Sequence, residues 1–260
     1  MSADPHFRTF DDHQFSYHGQ CDLVLARSKN FASGLGLDVH IRTTRVNMPY
    51  MDYSYISGAA VKIGDDVLEV DTKGDLFING EENLSGSAGM VLVGLKGLTK
   101  SIKGSGKRII EYALDLGDSN TIKIRANTKN NMMFVDFDGY FGDTDGLLGG
   151  DPREGKSLIA RDGVTDLSGH WNTYGEEWQV NDSDSKLFQD SERHPQYPEG
   201  CLYDAAETKP HYRHRRLLDQ VTLESATDAC SHVHNAMKEF CIFDTMATGD
   251  LNLAEDPFYG

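Results

Sequence analysis

Hydrophobic and polar positions alternate over short runs in the first 180 residues of the chain. The alternation is clear in residues 15–18, 37–42 and 121–125. Because successive side chains of a strand point to opposite faces of a sheet, this period of two predicts half-buried β-strands. The pattern begins near residue 7 and ends near residue 180.

Turn signals separate these predicted strands at regular intervals. The apolar runs 61–63 and 67–70 flank Gly64, Asp65 and Asp66, which predicts a β-hairpin. Further turns are predicted at residues 71–74 and at Asn79-Gly80. We therefore predict a mainly β protein, built as an antiparallel β-sandwich or a barrel-like sheet. Strands do not alternate with long helices, which excludes a doubly wound nucleotide-binding fold.

The character of the chain changes after residue 180. Residues 181–221 are polar and contain scattered prolines, which predicts a linker or an extended wrap. Apolar residues then recur at helical spacing: Ala226, Ala229, Val233, Ala236, Met237 and Phe240. Thr222 or Ser225 is a candidate cap for this helix of about four turns, and a second short helix is predicted over 241–247. We divide the chain into a β domain (4–180), the linker (181–221) and a small α-helical subdomain (222–260).

Composition and charge narrow the classes of partner. Hydrophobic residues make up 38% and aromatic residues 10% of the chain, enough for a packed core. The net charge is −16, which disfavours nucleic acid and anionic membrane surfaces as partners and suits calcium binding. No apolar run approaches the roughly 20 residues that cross a bilayer, so we expect no membrane insertion.

The four cysteines leave two interpretations open. They form two disulfides with one of three connectivities, or they are four buried free thiols of a cytosolic protein. No pair has the spacing of a zinc ribbon or a thioredoxin-like site. The cysteines are Cys21, Cys201, Cys230 and Cys241.

Two glycosylation sequons favour a secreted protein. They begin at Asn83 and Asn181. The first residues have neither the basic nor the apolar region of a signal peptide. The protein is therefore either cytosolic or a secreted, extracellular protein whose signal peptide has been removed from this chain.

Three ordered motifs resemble the von Willebrand factor type D domain. Residues 4–11 (DPHFRTFD) match its opening motif, residues 146–149 (GLLG) stand where the family has GLCG, and residues 174–180 (YGEEWQV) match its FGxxWxV motif. Residues 241–250 resemble the cysteine-containing helical module that follows such domains. The chain departs from the pattern at Ala3, where the family has glycine, and at Leu148, where it has a disulfide-bonded cysteine.

The resemblance implies specific disulfides and a calcium site. It implies a disulfide between Cys21 and Cys201, which leaves Cys230 to pair with Cys241. It also implies that Asp11 binds calcium together with acidic residues of the loop after residue 149. In this chain those acidic residues are Asp151, Asp162 and Asp166, with Glu154 nearby. Calcium prefers six to eight oxygen ligands, which carboxylates supply.

From the resemblance we expect a secreted, calcium-stabilised structural or adhesion module that assembles with other extracellular proteins or glycans. The sequence presents no catalytic constellation, so a non-enzymatic role is expected. Two alternatives remain. The β-sandwich could bind a ligand, as in a luciferase-like secreted protein, or the Asp4–Pro5 bond could cleave itself, as it does in some family members.

Overall fold

The structure is a computed structural model, which describes residues 5–45, 54–83, 94–103, 109–129, 131–150, 158–188, 201 and 221–255. The described chain begins with a two-stranded antiparallel hairpin, β1 (His6–Arg8) and β2 (Gln14–Ser16). Two larger antiparallel sheets and a small helical region follow. The predicted fold class, mainly antiparallel β with a C-terminal helical part, is confirmed; the sheets are open and do not close into a barrel.

The larger sheet is a meander of six strands, each paired with the next along the chain. Its strands are β3 (Asp22–Ser28), β4 (Leu37–Arg45), β5 (Ser54–Ile63), β6 (Asp66–Asp71), β7 (Leu76–Ile78) and β8 (Glu81–Glu82). The second sheet has the order β12-β11-β10-β9. Its strands are β9 (Gly97–Lys103), β10 (Ile109–Gly117), β11 (Asn120–Asn127) and β12 (Met132–Asp138). Two short helices, α1 (Phe31–Gly34) and α2 (Trp171–Glu177), had not been predicted.

The predicted hairpin between β5 and β6 is confirmed. Ile63 pairs with Asp66, and the chain reverses at Gly64, whose φ of +61° is readily adopted by glycine. The turns predicted at residues 71–74 and at Asn79-Gly80 are also present. Local turn chemistry therefore determines the register of this part of the meander.

Strand β4 differs from the half-exposed strand that its alternation predicts. Its apolar residues face the core, but the polar residues His40 and Arg42 are also buried. The Arg42 guanidinium forms a two-pronged ion pair with Asp22, at 2.6 and 2.8 Å. It also lies 4.4 Å from the ring centre of Phe188. The segment after α2 thus covers the second face of β4, so the side chains on both faces of this central strand are buried.

The main core lies between the two large sheets and receives three fully buried tyrosines, Tyr17, Tyr112 and Tyr174. Buried phenols need hydrogen-bond partners. Tyr112 donates its hydroxyl to the Gly74 carbonyl, and Tyr174 donates to the Gly146 carbonyl, each at 2.9 Å. These bonds join loops to the core.

The helical region contains two α-helices whose boundaries differ from the prediction. Helix α3 (Leu223–Ala229) follows its N-cap residue, Thr222. The Thr222 hydroxyl accepts from the Ser225 N–H, and the Ser225 hydroxyl accepts from the Thr222 N–H. A 3-10 turn (Cys230–His232) and an extended residue, Val233, then interrupt the predicted four-turn helix. Helix α4 (Asn235–Thr248) includes both the end of the first predicted helix and the second. The break explains how Cys230 can reach Cys241.

Both disulfides implied by the resemblance are present. The Cα atoms are 5.3 Å apart in Cys21–Cys201 and 6.0 Å apart in Cys230–Cys241, within the usual range. All four sulfurs are therefore bonded, which excludes the alternative of free thiols. In the described ranges, no helix is long and apolar enough to cross a membrane.

Candidate functional site

The opening motif forms a tight turn between β1 and β2. The Thr9 N–H donates to the His13 carbonyl at 2.9 Å, and the His13 N–H donates to the Thr9 hydroxyl oxygen at 2.9 Å. The Thr9 hydroxyl donates to Asp11 Oδ1 at 2.5 Å. Asp12 takes a φ of +70°, which completes the reversal. The turn thereby holds the Asp11 carboxylate, whose side chain is 17% exposed, in one orientation.

This turn is linked to the other two sequence motifs through the loop at residues 146–149. The Phe10 N–H donates to the Leu148 carbonyl at 2.9 Å, which joins the turn to the loop at residues 146–149. Within that loop, the Leu147 N–H donates to the Val24 carbonyl on β3 at 3.0 Å. The hydroxyl of Tyr174, from the third motif, donates a hydrogen bond to the Gly146 carbonyl in the same loop. Segments more than 130 residues apart in sequence thus form one structural unit.

Gly146 is the point of this unit where a positive φ coincides with a close approach to the backbone of β3. Its φ is +135°, and a Cβ there would lie 2.7 Å from the Leu25 carbonyl oxygen, which is backbone and cannot swing away. We expect Gly146→Ala to lower the free energy of unfolding by about 3 kcal/mol or more, from backbone strain plus the clash. Urea unfolding followed by circular dichroism measures the loss.

Gly163→Ala is the matched control for this prediction. Gly163 also has a positive φ, +72°, but a Cβ would meet nothing within 4 Å. Only the conformational penalty of about 1 kcal/mol is expected there. Equal losses of unfolding free energy in Gly146→Ala and Gly163→Ala would contradict the prediction that the close approach at Gly146 adds to the destabilisation.

The described acidic residues do not gather around Asp11. Asp11 contacts Thr9 and His13, whose Nε2 is 3.4 Å from Asp11 Oδ2. Asp151 lies outside the described residues. Among the residues that the structure does describe, no three histidine, cysteine or acidic side chains form a group that could hold a metal ion. Asp11 therefore offers one carboxylate beside the loop, and the predicted calcium site stays a prediction.

Asp162 and Asp166 are engaged in their own turns. The hydroxyl and N–H of Thr165, with the Val164 N–H, donate to Asp162 and lower the pKa of its carboxyl. The hydroxyl and N–H of Ser168 lower the pKa of Asp166 in the same way. Both carboxylates thus stabilise local turns of the polypeptide.

An ion-pair network that the sequence analysis missed fixes the segment after α2. Asp184 Oδ1 accepts from Arg27 Nη1 at 2.8 Å and from Arg161 Nη1 at 2.9 Å. Arg161 also donates to the carbonyls of Glu177 and Gln179, at 2.6 and 2.8 Å. The Asp184 side chain is only 3% exposed, so one buried carboxylate joins β3 to the end of the β domain.

The N-terminal strand is joined to the helical region by His6. Its ring stacks on Phe240 with the ring centres 4.0 Å apart, and Nε2 lies 3.4 Å from Asp244. Nδ1 is 2.8 Å from the Ser16 hydroxyl. The histidine of the opening motif therefore has a structural position at the contact between the hairpin and α4.

A cavity of about 920 Å³ lies at this contact. Its walls come from β1 and the following turn, from β12, from the start of β5 and from α4. Aromatic, aliphatic and charged side chains line it, and Arg125 from β11 is among the lining residues. The cavity was not predicted from the sequence, because its walls come from distant parts of the chain.

Comparison with known protein families identifies the chain. The family model of the von Willebrand factor type D domain matches residues 1–150. The chain belongs to this family. No curated protein matches it. The match includes both the Thr9–His13 turn and the loop at residues 146–149, the two segments that the Phe10–Leu148 hydrogen bond joins.

In this von Willebrand factor type D domain, the loop has leucine where the family motif has cysteine. Leu148 stands at that position, is 7% exposed and packs in the main core. Its carbonyl and N–H hold the loop against Phe10 and Leu25. Apolar packing and backbone hydrogen bonds thus fix the position of this loop.

Domains of this type are typically extracellular, and two disulfides are consistent with an oxidising compartment. The predicted glycosylation residue Asn181 is exposed and accepts hydrogen bonds from Ser183. Asn83 is partly exposed and follows β8. Of the predicted cleavage site, Pro5 is buried, and Asp4 lies outside the described residues.

Proposed function

We propose that this von Willebrand factor type D domain is a secreted structural module that presents a fixed surface for adhesion or assembly with other extracellular proteins or glycans. Family membership supports an extracellular structural role. The joining of the three motifs into one hydrogen-bonded unit carries the proposal, because such a unit preorganises the surface around it. Preorganisation reduces the entropy that is lost when a partner binds.

We further propose that calcium stabilises this unit at Asp11. The turn holds the Asp11 carboxylate beside the loop that ends at residue 149, and Asp151 lies two residues further along the sequence. Asp162 and Asp166 retain carboxylate oxygens with free lone pairs, but their hydrogen bonds to local turns favour a smaller role for them. When bound, calcium would supply a divalent positive charge that holds carboxylates of the turn and loop together.

Thermal unfolding of the non-reduced protein tests the calcium proposal. A ligand that binds only the folded state stabilises it by about 2.7 kcal/mol at a hundredfold excess over its Kd. We expect the Tm to rise by several degrees in calcium over EDTA, and this rise to vanish in Asp11→Asn.

Asp12→Asn is the control for this experiment, because Asp12 is adjacent, is exposed and pairs only with Arg8 among the described contacts. Asparagine also tolerates its positive φ. The calcium-dependent rise should persist in Asp12→Asn. A rise of equal size in Asp11→Asn would contradict the assignment of Asp11 as a ligand.

A further inference from the structure

Strand β9 forms an edge of the second sheet that no described segment covers. It is seven residues long and ends the strand order β12-β11-β10-β9, so β10 pairs with one side of it. Within the described ranges, its other side forms no backbone hydrogen bond. Most of its side chains are exposed, namely Thr99, Lys100, Ile102 and Lys103. The N–H and C=O groups of such an edge are a template for another strand.

The other long edges are covered or bordered by further segments. At β3, the Arg27 N–H donates to the Asp145 carbonyl at 2.7 Å, and the Asp145 N–H donates to the Arg27 carbonyl at 2.8 Å. Residues 147–148 and 178–180 form further backbone hydrogen bonds with β3. The edge at β8 is only two residues long, and β12 borders the cavity that hairpin β1–β2 and α4 also line. Among the described strands, β9 thus combines a long edge with exposed side chains.

Positive charge is concentrated around β9, although the net charge of the chain is −16. Residues 94–108 contain no acidic residue and five basic ones, which are Lys96, Lys100, Lys103, Lys107 and Arg108. Lys103 lies 2.6 Å from Glu111. Lys96 and Lys100 belong to no ion pair among the described residues, and the Lys100 ammonium lies 5.3 Å from the ring centre of Tyr112. An acidic strand beside β9 would neutralise these lysines.

A second copy of this chain does not fit the edge. Two β9 strands paired with each other would bring Lys96, Lys100 and Lys103 of both copies together, with no acidic residue on either strand. Like charges in opposed positions destabilise a pair of strands. The lysines therefore oppose self-pairing and favour a strand of opposite charge.

The side chains of β9 specify a pattern for that strand. Lys100 lies opposite Tyr112 and Ile102 lies opposite Ile110, so Leu98, Lys100 and Ile102 share the face that is directed towards the main core. Leu98 is buried there, but Ile102 is 54% exposed. An apolar side chain opposite Ile102 would remove apolar area from water, and an acidic one opposite Lys100 would pair with its charge.

We propose that β9 binds an extended, acidic segment of a partner protein, which adds to the second sheet as a further strand. Backbone hydrogen bonds supply affinity, and alternate side chains supply specificity. The segment has apolar residues opposite Leu98 and Ile102 and acidic residues opposite the three lysines of 96–103. This inference names a partner class for the proposed assembly role and rests on that role for the existence of a partner.

Three capped octapeptides test the proposal on the unmodified protein. EVTETVTE carries the pattern in the antiparallel direction, and KVTKTVTK reverses its charges. The third peptide is EVTETVTE with its four central amide nitrogens methylated, so that they cannot donate hydrogen bonds. Fluorescence anisotropy of the rhodamine-labelled peptides gives each Kd. We expect EVTETVTE to bind about tenfold or more tightly than either control.

The same titrations can refute the proposal. Absence of saturable EVTETVTE binding, or equal binding of EVTETVTE and either control, would overturn it. The calcium test measures the Tm of the protein without peptide, so failure of the peptides would overturn the docking edge and leave the proposed function standing.

Hydrogen exchange followed by mass spectrometry locates the bound peptide. We expect EVTETVTE to slow exchange in residues 97–103 and to leave residues 22–28 unchanged, since other segments already pair with the edge at β3. Slowed exchange elsewhere but not in β9 would overturn the proposal. Sedimentation tests the second copy as occupant, because a dimer whose β9 amides are protected without peptide would also overturn the proposal.

Lys100→Glu and Lys29→Glu are matched charge reversals. Lys29 is exposed, follows β3 in the other sheet and belongs to no ion pair among the described residues. We expect Lys100→Glu to weaken EVTETVTE binding about fivefold or more, and Lys29→Glu to change the Kd by less than about twofold, because exposed charges away from the bound strand are screened. Equal effects of the two variants would overturn the proposal.

A charge swap tests the register at residue 100. The peptide EVTKTVTE places lysine opposite this residue, so it should bind Lys100→Glu more tightly than the unmodified protein. Tighter binding of EVTKTVTE to the unmodified protein would overturn the pairing given to Lys100. Near-UV circular dichroism verifies that both variants are folded, and the peptide comparison on the unmodified protein does not depend on them.

Discussion

Replacing Cys21 and Cys201 with alanine is expected to lower the free energy of unfolding by roughly 5 kcal/mol. The disulfide joins residues 180 positions apart, and in the chain-entropy model closing such a loop restricts the unfolded chain strongly. The bonded pair also contributes directly to the fold. The Thr43 N–H donates to the Cys21 carbonyl at 2.8 Å, and the Gln20 N–H donates to the Cys201 carbonyl at 2.8 Å.

The Cys230–Cys241 pair provides the comparison for this result. Its residues are 11 positions apart, so the same model gives roughly 3 kcal/mol. Urea unfolding of the two double-alanine variants, each with the other disulfide intact, measures both values. An equal or larger loss of unfolding free energy on removing the Cys230–Cys241 disulfide would contradict the prediction.

Asp184→Asn is expected to lower the free energy of unfolding at neutral pH by about 3 kcal/mol. The buried carboxylate neutralises Arg27 and Arg161 together, and removing its charge leaves both guanidinium groups less well paired. Asp182→Asn is the matched control. Asp182 is fully exposed and contacts only Lys186 among the described ion pairs, so a loss below about 0.5 kcal/mol is expected.

The stabilisation that the ionised Asp184 provides should decrease as the pH is lowered. Burial alone raises the pKa of this carboxyl, but hydrogen bonds from Arg161, the Asn181 N–H and Arg27 outweigh it and lower the pKa to about 2. Because the folded-state pKa lies below the ordinary value of 3.8, the ionised group stabilises the fold above about pH 4. This contribution, about 2.5 kcal/mol, is lost as the pH falls towards 2.

Unfolding curves at several pH values measure this dependence. The difference in stability between the unmodified protein and Asp184→Asn should be constant from pH 7 to about pH 5 and should shrink below pH 4. A difference that grew on acidification would contradict the ion-pair assignment.

Elements with local signals were predictable from the sequence. The β5–β6 hairpin follows from one glycine-containing turn between two apolar runs, and the disulfide pairing follows from the resemblance of the motif around Cys21. The turns capped by Asp162 and Asp166 also had a local signal that was not used. Thr165 and Ser168 stand three and two residues after these acids, the spacing of side-chain-capped turns.

Features that depend on tertiary contact were not predictable in the same way. The break between α3 and α4 carries neither glycine nor proline, and helical periodicity continues through it. The Cys230–Cys241 bond and the packing of Phe134 against the helices accompany that break. Likewise, the ion pairs of Arg125 with Glu111 and Asp136 depend on where these residues lie in neighbouring strands, which no local pattern specifies.

Direct measurement of calcium binding tests the central claim, that the joined turn and loop form a calcium-stabilised unit. Isothermal titration calorimetry of the EDTA-treated, dialysed protein gives stoichiometry and Kd together. The account predicts roughly one calcium ion per chain for the unmodified protein and for Asp12→Asn, and no measurable binding for Asp11→Asn. Binding of equal affinity in Asp11→Asn, or absence of binding in the unmodified protein, would contradict it.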